Sequence, residues 1–225
     1  MLKVVNIKKS YGTKQVLKGV NFTFDSGKVY GIVGKNGAGK TTLFKCLAGL
    51  ESYEGEVTSD FDNLRHHMGF LYTHPIIMSY ITGWEYLKQL CTARGIHFDN
   101  FEEQNIFDLP LGEYAINYST GMTKKLAFLG ILLQQNDIFI LDEPFNGVDI
   151  QSNMILSAII AKLKEKNKTI IISSHIFSSL QENCDQICLL DNGTINEQFG
   201  KDDFQNLEDE LKSDIVQDTL NGLNL

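Results

Sequence analysis

A glycine-rich loop near the N-terminus constrains the fold of this chain more than any other feature. Residues Gly34–Thr41 read GKNGAGKT and match the pattern G-x-x-x-x-G-K-[ST] in full. The β-forming run Lys28–Val33 comes directly before the loop, and a helix is predicted over Lys40–Leu50. In this strand–loop–helix order, backbone N–H groups of the loop and of the helix start point at a common anion. The sequence therefore predicts an α/β fold that opens on a phosphate-binding loop.

Two side chains of this loop carry predicted roles of their own. Lys40 is expected to reach the β- and γ-phosphates of a nucleoside triphosphate. The hydroxyl group of Thr41 is expected to coordinate Mg²⁺. The loop therefore indicates a nucleotide and a magnesium ion as ligands.

An acidic pair ends a second predicted strand. Four apolar residues, Ile138–Leu141, are followed by Asp142 and Glu143 at the carboxyl end, where α/β sheets bind ligands. Successive side chains on a strand point in opposite directions, so Asp142 can face Mg²⁺ through its water shell while Glu143 faces the γ-phosphate. Glu143 is then the candidate general base for an attacking water. The alternative is a strand end with two solvated acids, which the complete phosphate loop disfavours.

The rest of the chain predicts how these motifs are arranged. Strands alternate with helices, which predicts a mostly parallel sheet covered on both faces. Residues 83–117 change character, with helices predicted over Trp84–Arg94 and Asn100–Phe107. We interpret this region as a small helical insertion in one domain that spans residues 1–225.

Composition and charge disfavour several other classes of protein. The 225 residues carry a net charge of −8, which argues against a nucleic-acid partner because such proteins usually present a basic face. The longest nearly unbroken apolar run, Leu126–Leu133, is far shorter than the ~18–20 residues of a membrane helix. Residues Met1–Asn6 lack the pattern of a secretory leader. We expect a soluble, cytosolic protein whose four cysteines are buried free thiols.

Further motifs carry a resemblance to a known family. The segment Tyr118–Met122 reads YSTGM at the start of a predicted helix and resembles the Ser-Gly-Gly signature of ATP-binding cassette (ABC) proteins. The segment Glu143–Asp149 is similar to the Walker B extension and D-loop of that family. His175 follows a predicted strand as the family's switch histidine does, and Tyr11 matches the aromatic residue that stacks on adenine.

The resemblance implies a fold and an assembly. It implies a P-loop NTPase with a mostly parallel sheet, an antiparallel β subdomain and a small helical subdomain at about residues 83–135. Two copies would enclose two ATP molecules head to tail, with the signature of one copy on the γ-phosphate held by the other. The residues implied in ATP binding, beside the catalytic Glu143 and His175, are Tyr11, Gly34, Lys35, Asn36, Gly37, Ala38, Gly39, Lys40, Thr41 and Thr42. The residues implied at the partner's ATP are Ser119, Thr120, Gly121 and Met122, with Asp149 in the D-loop.

The chain departs from the family pattern at three positions. Thr73 stands where the family usually has the Q-loop glutamine, so its part in holding Mg²⁺ beside Thr41 and Asp142 is left open. Thr120 replaces the first glycine of the signature, and Met122 replaces its glutamine. This signature form is similar to that of exporters whose ATPase and membrane subunits are separate chains.

The acidic C-terminal segment is predicted to be an amphipathic helix over about residues 201–225. It holds seven acidic residues and two lysines. Its apolar residues Phe204, Leu207, Leu211 and Ile215 recur at spacings of three and four. A helix that covers the domain edge and a helix that binds a partner are both compatible with this pattern.

These observations lead to one functional expectation and its rivals. We expect an ATP-hydrolysing subunit of an ABC transporter, on the inner face of the cell membrane, that works as a homodimer with a separate integral membrane subunit and drives export. The alternative is a soluble ABC-type ATPase that acts on ribosomes or nucleic acid. A second alternative is a different P-loop enzyme such as a GTPase or a small-molecule kinase. The GTPase is disfavoured because the segment Asn167–Ile170 lacks the aspartate of an Asn-Lys-x-Asp motif. A non-catalytic nucleotide binder is disfavoured by Lys40 and Glu143.

Overall fold

The computed structural model describes the backbone of residues 1–221 and the side chains of residues 1–213. The strands in these residues are β1 (Leu2–Tyr11), β2 (Lys14–Phe24), β3 (Val29–Val33), β4 (Glu54–Ser59), β5 (Met68–Leu71), β6 (Ile138–Asp142), β7 (Thr169–Ser173), β8 (Gln186–Asp191) and β9 (Thr194–Gly200). The α-helices are α1 (Lys40–Leu47), α2 (Gly83–Thr92), α3 (Thr120–Leu133), α4 (Ile150–Glu165), α5 (Phe177–Asn183) and α6 (Phe204–Asn221).

The central sheet has the strand order β5-β6-β7-β3-β8-β9. Its first five strands are parallel, and β9 pairs antiparallel with β8. Every residue of β3, β6 and β7 is buried, as expected for parallel strands with both faces covered. The prediction of a mostly parallel α/β sheet is confirmed. The edge strand β9 was missed, because its sequence TINEQFG is largely polar and half open to solvent.

A second sheet, with the order β2-β1-β4, is antiparallel and forms the expected antiparallel subdomain. Its inner face and α1 share an apolar cluster that includes Leu17, Phe24 and Phe44. The side chains of Leu17 and Phe44 are fully buried. This packing places the end of β1 beside the loop that precedes α1.

The helical region follows the sequence prediction in part. Helices α2 and α3 bury Leu87 and Phe128 in one cluster with the central sheet. The helix predicted over Asn100–Phe107 is wrong, because this segment contains only a short 3₁₀ turn at Glu102–Gln104. The Asn105 side-chain amide donates to the carbonyl oxygen of Leu109 at 2.8 Å, and its oxygen accepts from the Leu109 N–H at 3.0 Å. This local pairing competes with helix formation.

The C-terminal segment begins with a 3₁₀ turn and continues as α6. Phe204 and Leu207 are buried against the core of the central sheet, and Leu211 packs at its margin. The side chain of Ile215 and residues 222–225 lie outside the described part of the chain. Among the helices that the structure describes, none combines the length and apolar character needed to cross a membrane.

The start of α2 offers a test of how the helical region is anchored. The Thr82 hydroxyl accepts from the Glu85 N–H at 3.1 Å, and the Glu85 carboxylate accepts from the Thr82 N–H at 2.8 Å. Thr82→Ala removes half of this capping box, so we expect the free energy of unfolding to fall by about 1 kcal/mol. Urea unfolding followed by circular dichroism measures the loss. Thr92→Ala, at the exposed end of the same helix, is the matched control, and equal effects would contradict the capping role.

Candidate functional site

A cleft of about 540 Å³ lies where β3 and β6 end. It gathers side chains from segments far apart in the chain. Its lining residues are Tyr11, Lys14, Val16, Asn36, Gly37, Gly39, Lys40, Thr41, Thr42, Thr73, Asp142, Glu143 and His175. The structure therefore brings most of the residues predicted for the nucleotide, the metal and catalysis into one cleft, whereas Gly34, Lys35 and Ala38 of the same loop do not line it.

The glycine-rich loop connects β3 to α1 with little space for side chains. Gly34 has a φ of +157°, and a Cβ atom built on it would lie 2.2 Å from the carbonyl oxygen of Leu190. Gly39 precedes α1 in a left-handed conformation and offers no side-chain cap. The N–H groups at the start of α1 can therefore bind an anion from the cleft.

Lys40 lies folded against this loop. Its ammonium group donates to the carbonyl oxygen of Gly34 at 2.7 Å, and its side chain is 8% exposed. Burial lowers the pKa of Lys40, and the carboxylates of Glu143 and Asp142 oppose that shift. The lysine is thus the cation of the cleft nearest to the loop that would carry phosphates.

Asp142 is held by hydroxyl groups from three elements. The Oδ2 atom accepts from Thr41 Oγ1 and from Thr73 Oγ1, both at 2.8 Å. The Oδ1 atom accepts from Ser173 Oγ at 2.6 Å. Asp142 is 2% exposed, so these bonds offset the cost of burying its carboxylate. A group of hydroxyl and carboxylate oxygens beside a phosphate loop is the ligand set that Mg²⁺ prefers, so the residues fit this metal.

Glu143 and His175 are in contact with each other in the lining of the cleft. The backbone N–H of His175 donates to Glu143 Oε2 at 3.1 Å, and His175 Nε2 lies 3.2 Å from Glu143 Oε1. Apart from this contact with the imidazole, the buried Oε1 atom has no hydrogen-bond donor among the described residues. Glu143 is 5% exposed and has a φ of +55°, a conformation that non-glycine residues adopt rarely. A strained, buried carboxylate with a free acceptor atom is suited to hold a water molecule.

The predicted signature and D-loop lie outside this cleft. Ser119 is the exposed N-cap residue of α3, and its hydroxyl accepts from the Met122 N–H at 3.2 Å. Asp149 caps α4, and the bond from the Ser152 N–H is the main cause that lowers the pKa of its carboxyl group. None of Ser119, Thr120, Gly121, Met122 and Asp149 lines the cleft that holds Lys40 and Glu143.

Two residues beside the site were missed by the sequence analysis. Ser173 donates to Asp142 and accepts from the Glu143 N–H at 3.1 Å. Lys124 is a buried lysine of α3 whose ammonium group contacts the turn after β6. A polar residue that ends an apolar strand, and a lysine three and four positions before the apolar residues Ala127 and Phe128 of the same helix, are patterns that could have identified them.

The family model described as ABC transporter matches residues 17–146, which is more than half of the chain. The chain belongs to the ABC transporter family, as its motifs predict, and it is an ATP-binding and ATP-hydrolysing subunit of that family.

Relatives and solved structures agree with this membership. The lantibiotic transport ATP-binding protein SrtF of Streptococcus pyogenes is 33% identical over 96% of this chain and 98% of its own length. An ATP-binding subunit of an ABC transporter has a TM-score of 0.84 at 25% identity, over 96% of this chain and 99% of the other. A dimeric ATP-binding cassette in a post-hydrolysis state with ADP and Pi has a TM-score of 0.80 at 21% identity, over 89% and 99%, and supports the fold.

Ser173 provides a test of the hydrogen bonds in the site. Ser173→Ala leaves the buried Asp142 Oδ1 and the Glu143 N–H without their partner, so we expect the free energy of unfolding to fall by about 1–3 kcal/mol. Urea unfolding without nucleotide measures this loss. Ser178→Ala, on the exposed surface of α5, is the control and should change stability by less than about 0.5 kcal/mol. A comparable effect in both variants would contradict the role of the Ser173 hydroxyl.

Proposed function

We propose that the cleft binds ATP with Mg²⁺ and that Glu143 and His175 act in its hydrolysis. The observation that carries this proposal is the buried carboxylate of Glu143, which lines the same cleft as the phosphate loop and whose Oε1 atom has, among the described residues, no donor besides the neighbouring His175 imidazole. In this proposal the adenine ring stacks on Tyr11, which is 45% exposed at the end of β1. The loop from Gly34 to Thr42 surrounds the phosphates, and Lys40 neutralises their charge.

We propose that the same cleft also holds the metal ion. Thr41 and Asp142 would hold Mg²⁺, and the hydroxyl of Thr73 is a further oxygen at the same carboxylate. When bound, Mg²⁺ neutralises charge that develops on the phosphate oxygens. The Asp142 carboxylate would therefore help to hold the metal and would also accept the hydrogen bonds that offset the cost of its burial.

The hydrolysis step follows from the placement of Glu143. Its Oε1 atom accepts a proton from a water molecule, whose oxygen attacks the γ-phosphorus as the bond to the leaving ADP oxygen breaks. The proton stays on the carboxyl group until the phosphate product takes it. The imidazole of His175 lies at the open side of the same carboxylate and would orient the γ-phosphate.

A second copy of the chain completes the proposed site. The exposed start of α3 has N–H groups that can bind an anion, and the Ser119 hydroxyl accepts from one of them, that of Met122. We infer that Ser119, Thr120, Gly121 and Met122 contact the γ-phosphate in the partner's cleft, with Asp149 at the same interface. The dimeric form of a solved cassette of the same fold supports this assembly.

The transport role includes a membrane partner. The name of SrtF, a lantibiotic transport protein that matches almost the whole chain, supports coupling to transport. The signature form of this chain favours export. We therefore place the protein in the cytoplasm, at the inner face of the cell membrane, bound to a separate integral membrane subunit. The groove between β5 and the α2–α3 pair, with the exposed Ile76, is the proposed contact for that subunit.

Glu143→Gln tests the proposed general base. The amide keeps the shape of the side chain but cannot accept the proton, so ATP turnover should fall at least about 100-fold while ATP binding persists. The variant should accumulate as an ATP-bound dimer, measured by light scattering after size-exclusion chromatography with and without ATP. Glu182→Gln, exposed on α5, is the control with an equal change of charge. Full ATPase activity of Glu143→Gln would refute the proposed role.

The alternative of a soluble ABC-type ATPase on ribosomes or nucleic acid is tested by the location of the chain. We expect the tagged protein to sediment with membranes and, after detergent solubilisation, to purify with a polytopic membrane protein. Sedimentation with ribosomes at physiological salt would instead support the alternative. The net charge of −8 already disfavours binding to nucleic acid.

A further inference from the structure

A buried lysine contacts the backbone next to the proposed general base. Lys124, in the second turn of α3, is 3% exposed. Its ammonium group donates to the carbonyl oxygen of Glu143 at 2.9 Å and to that of Asn146 at 2.6 Å. A buried ammonium group is unfavourable unless hydrogen bonds replace its water shell. Here two backbone carbonyl oxygens of a single turn replace the water shell, so the lysine binds both ends of that turn.

This turn has a conformation that needs support. Glu143 has a φ of +55°, and the Asn146 N–H closes the turn on the Glu143 carbonyl oxygen at 3.2 Å. On the other side of the residue, the Glu143 N–H donates to Ser173 Oγ at 3.1 Å. Ser173 therefore holds the N–H side of Glu143, and Lys124 holds its carbonyl side. Both peptide groups that set the direction of the carboxylate are held by side chains.

Helix α3 contacts the same segment at two further points. A Cβ atom on Gly121 would lie 2.8 Å from the carbonyl oxygen of Gly147, so the helix backbone packs directly on the segment after the turn. The Lys125 ammonium group lies 3.1 Å from Asp149 Oδ2. The helix that starts at Ser119 is thus joined to residues 143–149 through its first two turns. These contacts fix the position of the turn that carries Glu143 relative to the helix.

We propose that Lys124 is a positioning residue that holds the catalytic turn against α3 and so fixes the direction of the Glu143 carboxylate. This inference rests on the proposed role of Glu143 as general base. Lys124 does not line the cleft itself, so it acts through the backbone of the turn rather than on the nucleotide. Substitution of Lys124 should therefore lower the rate of ATP turnover without weakening ATP binding.

Substitutions of Lys124 test this separation. Lys124→Gln keeps N–H donors on a side chain one atom shorter, which cannot hold both carbonyl groups at once, and kcat should fall about 10-fold. Lys124→Met keeps the aliphatic stem but removes the ammonium group and with it every donor, and kcat should fall about 100-fold, the size expected for a misplaced catalytic group. The KM for ATP and ATP-dependent dimer formation should stay unchanged in both. Lys162→Met, exposed on α4, is the matched control.

The outcomes distinguish this role from a purely structural one. If kcat of a folded Lys124→Gln equals that of the native chain, or if KM and dimer formation fail together with kcat, the proposal is overturned. If Lys124→Met does not fold, the kcat of Lys124→Gln decides alone. Combined with Glu143→Gln, the Lys124 substitution should cause no additional loss of single-turnover rate. Turnover that survives Glu143→Gln would refute the proposed general base, whereas loss in Glu143→Gln with full kcat in Lys124→Gln would refute this inference alone.

Discussion

The buried carboxylate of Asp142 is the interaction on which the site depends. Three hydroxyl groups reach it, from Thr41 at the start of α1, from Thr73 after β5 and from Ser173 at the end of β7. A buried carboxylate is costly without such donors, so each bond also fixes the element that supplies it. The phosphate loop and the ends of three strands are joined at a single side chain. The cleft takes its shape from this junction.

The carboxylate of the next residue, Glu143, has the opposite kind of surroundings. Asp142 accepts hydrogen bonds on both oxygens, whereas the buried Oε1 atom of Glu143 has no donor besides the His175 imidazole in the described part of the chain, and Glu143 has a left-handed backbone conformation. The surroundings hold its backbone at both sides, through Ser173 and Lys124. Strained backbone conformations that the surrounding structure maintains are typical of residues in active sites. Two adjacent acids, one at the end of β6 and one in the turn that follows, thus have different environments and different proposed tasks.

The sequence could predict the cleft because its parts are local patterns. The loop Gly34–Thr41, the apolar run before Asp142 and the strand before His175 each place a polar group at the carboxyl end of a parallel strand. Such ends meet at the same edge of the sheet, so residues from distant segments could be expected in one site. The prediction failed where side chains compete with the backbone, as at Asn105, or where a polar strand lies at the sheet edge, as in β9.

The sequence by itself determined the parallel α/β fold, the phosphate loop and the identity of the acids, because these depend on short motifs and on the period of apolar residues. Only the tertiary structure decided which groups surround those acids. Ser173 and Lys124 come from β7 and α3, and no spacing in the chain relates them to Glu143. Their contacts exist because packing brings a strand end and a helix face to the same turn, and packing of this kind is a property of the whole core.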